Sequence, residues 1–275
     1  MSISLRFWGV RGSLPVPGSD TTIIGGNTSC VEIALPTGDV MLIDCGTGAR
    51  AAGRSLQRHL RKPRNIHIFF SHFHWDHIQG LPFFAPVFNN THKLTFYSNR
   101  PPKQLKKMVE KLLTYPHFPT RLEDLPKNRS YVQITNSPLL LGQATISSFR
   151  LYHPQGAWGY RVEYKSKSVV YASDHEHGNP ACDLGLREAA RNTDVLIYDA
   201  QYTPSEYRLH CGWGHSTWLE GANIAKQVGV KRLVLFHHSP DRRDADVDKI
   251  TRQARNVFHA TIAAREGLKL KLPAR

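Results

Sequence analysis

The segment Ser71-His72-Phe73-His74-Trp75-Asp76-His77 follows directly on an apolar, strand-like run at residues 66–70. Four metal-competent side chains packed into so short a stretch, where a strand gives way to a loop, form a metal-binding pattern. Imidazoles at i and i+2 point the same way while strand geometry lasts, so His72 and His74 can grip one ion. Asp76 and His77, beyond the turn, can reach a second. A dinuclear site needs more ligands than this loop supplies, and strand ends elsewhere offer them. His153 ends the run Phe149-Arg150-Leu151-Tyr152, Asp174 ends Val169-Val170-Tyr171-Ala172-Ser173, and His237 or His238 ends Leu233-Val234-Leu235-Phe236. Adjacent strand residues face opposite ways, so only one of that last pair can enter the site.

A second constellation joins Asp199-Ala200-Gln201-Tyr202 to Gly212-Trp213-Gly214-His215-Ser216-Thr217. Thr217-Trp218-Leu219-Glu220 has the spacing of a capping box, which predicts a helix starting at Thr217. His215 then sits beside a positive helix end, a place that suits a phosphate oxygen. From there it could give a proton to a leaving alkoxide while Asp199 orients its ring. Two divalent metal ions in such a cage would activate water and clamp the attacking and leaving oxygens of a phosphoryl centre.

The elements that must carry these residues are legible as short β-branched or aromatic runs with amphipathic stretches between them. Strands are expected at 3–8, 30–35, 40–44, 66–70, 94–97, 131–135, 144–153, 158–164, 168–173, 194–199 and 231–237. Helices are expected near 46–61, 102–114, 183–191, 217–228 and 244–264. Strand meanders followed by strand–helix alternation occur in each half, which predicts an α/β fold of four layers, two mixed sheets facing each other with helices outside. No linker or repeat divides the 275 residues, so residues 1–275 are expected to form one domain. The 40% hydrophobic and 21% charged content excludes a disordered or fibrous chain. The apolar runs are strand-length, too short for a membrane span, and Arg6 breaks the pattern of a signal peptide; a cytoplasmic protein is expected. The four cysteines, without CxxC spacing, read as buried reduced thiols. Thirty-six Lys+Arg against 22 Asp+Glu favours anionic partners. However, Arg50, Arg54, Arg58, Arg61 and Lys62, like Lys103, Lys106, Lys107 and Lys111, recur at helical spacing and read first as solvated helix faces.

The order and spacing of these motifs resemble the metallo-β-lactamase superfamily over nearly the whole chain. The resemblance implies that Asp44, in Leu42-Ile43-Asp44-Cys45-Gly46, holds the metal loop without binding metal. It implies two zinc ions, with manganese or iron as alternatives. His72, His74 and His153 would hold one, Asp76, His77 and the last histidine the other, with Asp174 bridging. Phe236-His237-His238-Ser239 aligns with the family's Leu-Thr-His-x-Ser pattern through His237, with His238 the alternative. The Gly-His-Ser-Thr segment and its upstream acid are similar to the phosphodiesterase branch, where such a pair donates the proton; Asp199 and His215 take those roles here, with Asp76 also counted among the catalytic groups. The ribonuclease Z members of that branch usually carry glutamate where this chain has Asp199.

Ribonuclease Z enzymes grasp tRNA with a projecting glycine-rich, basic arm, whereas residues 81–141 contain no glycine. The motif wording looks closer to small cyclic-nucleotide phosphodiesterases of the anti-Pycsar type, which implies a homodimer and a small anionic phosphodiester substrate. Phe73, Trp75, Phe83, Phe84 and Trp213 are candidates to stack on a base. The expectation is therefore hydrolysis of 3′,5′-cyclic mononucleotides. The alternatives are a tRNA 3′-processing endonuclease, a hydrolase of another ester or cyclic phosphate, and a zinc protein that binds nucleotides or RNA without catalysis.

Overall fold

The computed structural model describes residues 2–35, 37–59 and 62–273. Its strands are β1 (Ser2–Gly9), β2 (Cys30–Ala34), β3 (Val40–Ile43), β4 (Asn65–Phe69), β5 (Lys93–Ser98), β6 (Arg129–Gln133), β7 (Leu139–Leu141), β8 (Ala144–Leu151), β9 (Ala157–Tyr164), β10 (Lys167–Ala172), β11 (Val195–Asp199), β12 (Leu233–Phe236), β13 (Thr261–Ala263) and β14 (Lys269–Pro273). The helices are α1 (Ala49–His59), α2 (Trp75–Ile78), α3 (Pro102–Leu112), α4 (Pro180–Ala190), α5 (Pro204–Tyr207), α6 (Trp218–Gln227) and α7 (Asp244–Val257). The strands form two seven-stranded sheets, ordered β14-β1-β2-β3-β4-β5-β6 and β13-β12-β11-β10-β9-β8-β7. Both are mixed: β3 to β6 run parallel, as do β10 to β13, and the remaining pairs are antiparallel.

Alternation along the strands makes the layers. On β10, Val169 and Tyr171 enter the core between the sheets, while Val170 and Ala172 face the helices. Covering both faces requires a continuous apolar run, which is how this strand reads in sequence. The inter-sheet core joins Phe7, Val31, Ile43 and Phe69 of the first sheet to Tyr160, Val162, Ile197 and Phe236 of the second. A second apolar layer packs Ala52 and Leu56 of α1 with Leu105 and Val109 of α3 onto Leu42, Ile68 and Phe96. A third sets α4, α6 and α7 on the outer face of the second sheet. The expected four-layer order is the observed one.

Several boundaries differ from expectation. The helix expected over 244–264 stops at Val257, and Thr261–Ala263 joins β12 as a parallel edge strand. Ala and Thr can serve either state, and here ladder pairing outweighs local propensity. Two strands go unseen in the sequence: β7, whose three leucines show no alternation, and β14, which pairs with β1 and alternates over only Lys269–Leu272. The end of the helix expected over 46–61, with Arg61, lies outside the described residues. Residues 81–141 make no projecting arm: Leu105, Val109 and Leu112 of α3 are buried, and β6 pairs with β5. Arg50, Arg54, Arg58 and the four α3 lysines are exposed, as solvated faces should be. Cys30, Cys45 and Cys182 are buried free thiols, but Cys211 is exposed because it lies in the surface loop before His215 rather than in an element. Among the described residues, no helix is long and apolar enough to cross a membrane.

The loop after β4 is stitched to the end of β3. Cys45 N–H donates to His77 O at 2.7 Å, and Gly80 N–H to Cys45 O at 2.9 Å. The backbones approach so closely that a Cβ on Gly80 would lie 1.9 Å from Gly46 O. Gly80→Ala is therefore expected to destabilise the protein by roughly 1–3 kcal/mol through overpacking. Urea unfolding tests this; an unchanged midpoint would show that the loop has room to spare.

Candidate metal centre

The parallel strands of both sheets end on one side of the molecule, where chemistry-bearing residues follow them in open α/β sheets. Asp44 follows β3, His72 and His74 follow β4, Asp174 follows β10, Asp199 ends β11 and His237 follows β12. His153 lies two residues past β8, which stops at Leu151 rather than running on to 153 as expected. Asp44, Asp174 and His237 leave their strands with φ of 62°, 60° and 57°. That turn also separates the histidine pair. His237 enters the cluster, while His238 donates from Nε2 to Ala264 O at 3.0 Å. The pair diverges because His237 already lies outside the strand in a left-handed turn, not because of strand alternation.

Two groups of side chains that include residues of the His72–His77 segment converge. His72, His74 and His153 form one, and Asp76, His77, Asp174 and His237 the other; a further group, Asp174, Asp199, His215 and His237, overlaps the second, and in each the candidate ligand atoms lie within 4.8 Å of one another. Asp174 faces the first two. Its Oδ1 lies 3.8 Å from His72 Nε2 and 3.9 Å from His153 Nε2, and its Oδ2 lies 3.2 Å from His77 Nε2 and 3.3 Å from His237 Nε2. Acceptors behind the rings fix their tautomers. His77 Nδ1 donates to Asp44 Oδ2 at 2.8 Å, His153 Nδ1 to Gly214 O at 2.7 Å, and His237 Nδ1 to Gln201 Oε1 at 2.9 Å. Each Nε2 is thereby turned into the site, the arrangement metal-ligating histidines adopt.

The residues fit a pair of metal ions on three counts. The donor set of imidazoles and carboxylates suits zinc and its first-row neighbours. His72 Nε2 is buried without a hydrogen-bond partner, a costly state unless a cation takes its lone pair. His77 Nε2 and His237 Nε2 stand 3.3 Å apart, and both Nδ1 protons are already committed, so a cation or an extra proton must separate the two lone pairs.

The electrostatics agree. Burial lowers His153 to about 4 and holds His72 well below its ordinary value, so both rings are neutral at pH 7, the form that can accept a metal ion. Burial opposes charge on His237 too, but Asp174, Asp76 and Asp199 outweigh it and raise the ring to about 9. Asp76 and Asp174 are held below the usual carboxylate range by His77 and His237, against the upward push of burial.

Asp44 takes no place in either group. Fully buried, it accepts from Ser71 N–H, Ser71 Oγ, His77 Nδ1 and Tyr171 OH, all at 2.8 Å. His215 Nδ1 donates to Asp199 Oδ2 at 2.8 Å, so the aspartate reaches the ring where relatives were expected to carry the longer glutamate. Asp199 is itself fixed by N–H groups of Asp174, Gln201 and Ser216. Thr217 caps α6 through Glu220 N–H, but the reciprocal half of the expected capping box is missing: the Glu220 carboxylate pairs with Arg187 instead. Of the five aromatic residues considered for stacking, Phe84 is core and Phe73 packs against Phe70, whereas Trp75, Phe83 and Trp213 are 67%, 58% and 62% exposed. Tyr171, Gln201 and Ser13, whose N–H donates to Asp76 Oδ2 at 2.9 Å, are site residues that the sequence reading missed.

A family model described as the beta-lactamase superfamily domain matches residues 40–238. The chain is 29% identical to a ribonuclease Z of Methanosarcina mazei, with 99% of each chain covered. That alignment runs over 323 positions against 275 residues here, so the relative carries positions that this chain lacks. Among solved structures, the chain is similar in fold to the metallo-beta-lactamase fold protein YhfI of Bacillus subtilis, with a TM-score of 0.72, 22% identity, and 98% of this chain and 99% of that one covered. It is also similar in fold to a diphosphatase from the PhnP family, with a TM-score of 0.71, 22% identity, and 99% and 98% covered.

Metal must displace the proton that the carboxylates hold on His237. A group raised to about 9 is protonated at pH 7 and loses that proton through pH 9. Zinc binding to metal-free protein is thus expected to release protons at pH 7, and its affinity to rise between pH 6 and 9. Calorimetry in buffers of different ionisation enthalpy measures the release; uptake, or no exchange, would contradict this arrangement.

Proposed function

Since the chain belongs to the β-lactamase superfamily, we propose that this metal-dependent hydrolase uses two zinc ions to open 3′,5′-cyclic mononucleotides. The observation that carries the reading is the buried Asp199–His215 pair, joined at 2.8 Å beside two groups of metal-competent side chains. His72, His74 and His153 hold one ion, Asp76, His77 and His237 the other, and Asp174 both; manganese or iron could take the same donors. Bound zinc supplies Lewis acidity toward the phosphoryl oxygens and activates water.

The chain's own residues do the rest. Asp76, steadied by the Ser13 N–H, keeps one carboxylate oxygen to orient the attacking water. As water adds to phosphorus it passes a proton to the free carboxylate oxygen of Asp76, the P–O3′ bond breaks, and the proton on His215 Nε2 goes to the departing oxygen. Asp199 holds the opposite nitrogen and stabilises the imidazolium before transfer. The buried rings exclude bulk water from the reacting centre. Trp75, next to His74, and Trp213, two residues before His215, offer exposed indole surface for a base. The reading includes a single hydrolase domain over residues 1–275, a homodimer and a cytoplasmic place of action.

Two facts favour a small substrate over tRNA. Residues 81–133 are folded into the first sheet and its helix layer, residues 139–141 pair with the second sheet, and the ribonuclease Z relative is longer in alignment than this chain. The second reading, a precursor-tRNA 3′ endonuclease, draws on that relative's name and on the +14 formal charge.

Chromatography of 3′,5′- and 2′,3′-cyclic nucleotides incubated with metallated protein tests the proposal. Ring opening is expected in the wild type and absent in His74→Ala. His215→Ala should retain both metals and lose on the order of 10²–10⁴-fold in turnover. Intact rings with both metals bound, alongside 3′ cleavage of precursor tRNA, would replace the first reading by the second.

A further inference from the structure

Glu176 is two residues past Asp174 and 3% exposed, yet it belongs to neither group of candidate ligands. Its carboxylate is spent on backbone. Oε1 accepts from Gly212 N–H at 2.6 Å and from Tyr207 OH at 3.0 Å, and Oε2 accepts from Gly214 N–H at 2.7 Å. Its own N–H donates to Tyr152 O at 2.8 Å, tying it to the residue before His153.

The peptide it clamps has two further roles. Gly214 O accepts the Nδ1 proton of His153 at 2.7 Å, and the next residue is His215. Gly212 and Gly214 have φ of 89° and 85°, and a Cβ on Gly214 would lie 2.2 Å from His153 Nδ1. The loop therefore closes on His153 as bare backbone, in a conformation that only glycine adopts without strain. A buried carboxylate left without these donors would be strongly disfavoured, so charge and loop fix one another.

We propose that Glu176 is a positioning residue that sets one loop for two purposes, aiming His153 Nε2 at the ion shared with His72 and His74, and placing His215 beside Asp199. It acts through Gly214 and touches neither metal nor substrate. The inference rests on reading His153 as a ligand, so the test carries that control.

Zinc affinity is measured by chelator competition in wild type, Glu176→Gln, Tyr207→Phe and His153→Ala. Glutamine keeps the length of the side chain but presents an NH2 group to one of the two amides. Glu176→Gln is expected to weaken one of the two zinc sites about 10–100-fold, the same site that His153→Ala removes, and to leave the other intact. Thermal unfolding of the zinc-free variant should fall only by the cost of the one mismatched amide, with the second zinc site at wild-type affinity, which a general loss of structure would not allow. Tyr207→Phe, which keeps both amide contacts, should bind zinc like wild type. Wild-type affinity in Glu176→Gln, or an equal loss in Tyr207→Phe, would overturn the proposal. Two intact sites in His153→Ala would sink the ligand reading and this inference with it. Should Glu176→Gln fail to fold, amide exchange in the wild type decides: Gly212 and Gly214 must be protected, and exchange at open-loop rates would refute the clamp.

Discussion

A charge buried away from water must be met by donors, and Asp44 meets that demand by drawing three parts of the chain to one point. Ser71 comes from the loop after β4, His77 from α2 and Tyr171 from β10 of the opposite sheet. The carboxylate is thus a structural fastener between layers as well as the support behind His77. Breaking such a set costs several kcal/mol, because the remaining charge has no solvent to turn to. With the first sheet's loop held against the second sheet's strand, His72 and His74 can face Asp174 across the inter-sheet boundary.

The same logic repeats outward. Asp199 collects three backbone amides and orients His215; Gln201 backs His237; Gly214 backs His153. Four rings that point inward are each held from behind by an oxygen that only accepts. Rigidity of this kind keeps Nε2 atoms close together despite mutual repulsion, and it makes the centre receptive to cations before any substrate arrives.

What the sequence made legible followed from proximity along the chain. The run from His72 to His77 places its donors side by side, and strand-end punctuation exposes His153, Asp174 and His237. The four-layer order followed from strand meanders giving way to strand–helix alternation in each half of the chain. The rest depended on contacts that only folding creates. Tyr171 looks like any aromatic core residue until its hydroxyl meets Asp44, and Ser13 contributes a backbone N–H, which carries no side-chain signature. Thr261–Ala263 reads as helix because three residues cannot show strand periodicity, and only pairing with β12 decides its state.

The left-handed turns that end β3, β10 and β12 restrict the chemical alphabet of this centre. Apart from glycine, the side chains that best tolerate such a backbone are asparagine, aspartate and histidine. Asp174 and His237 therefore satisfy two independent demands at once, and the conformational one operates even in the absence of metal. Glutamate or cysteine could bind the same ions but would fit these turns less well. Softer, thiolate-rich coordination is thus disfavoured at these positions by chain geometry, and diversification of metal preference is left to the flanking loops.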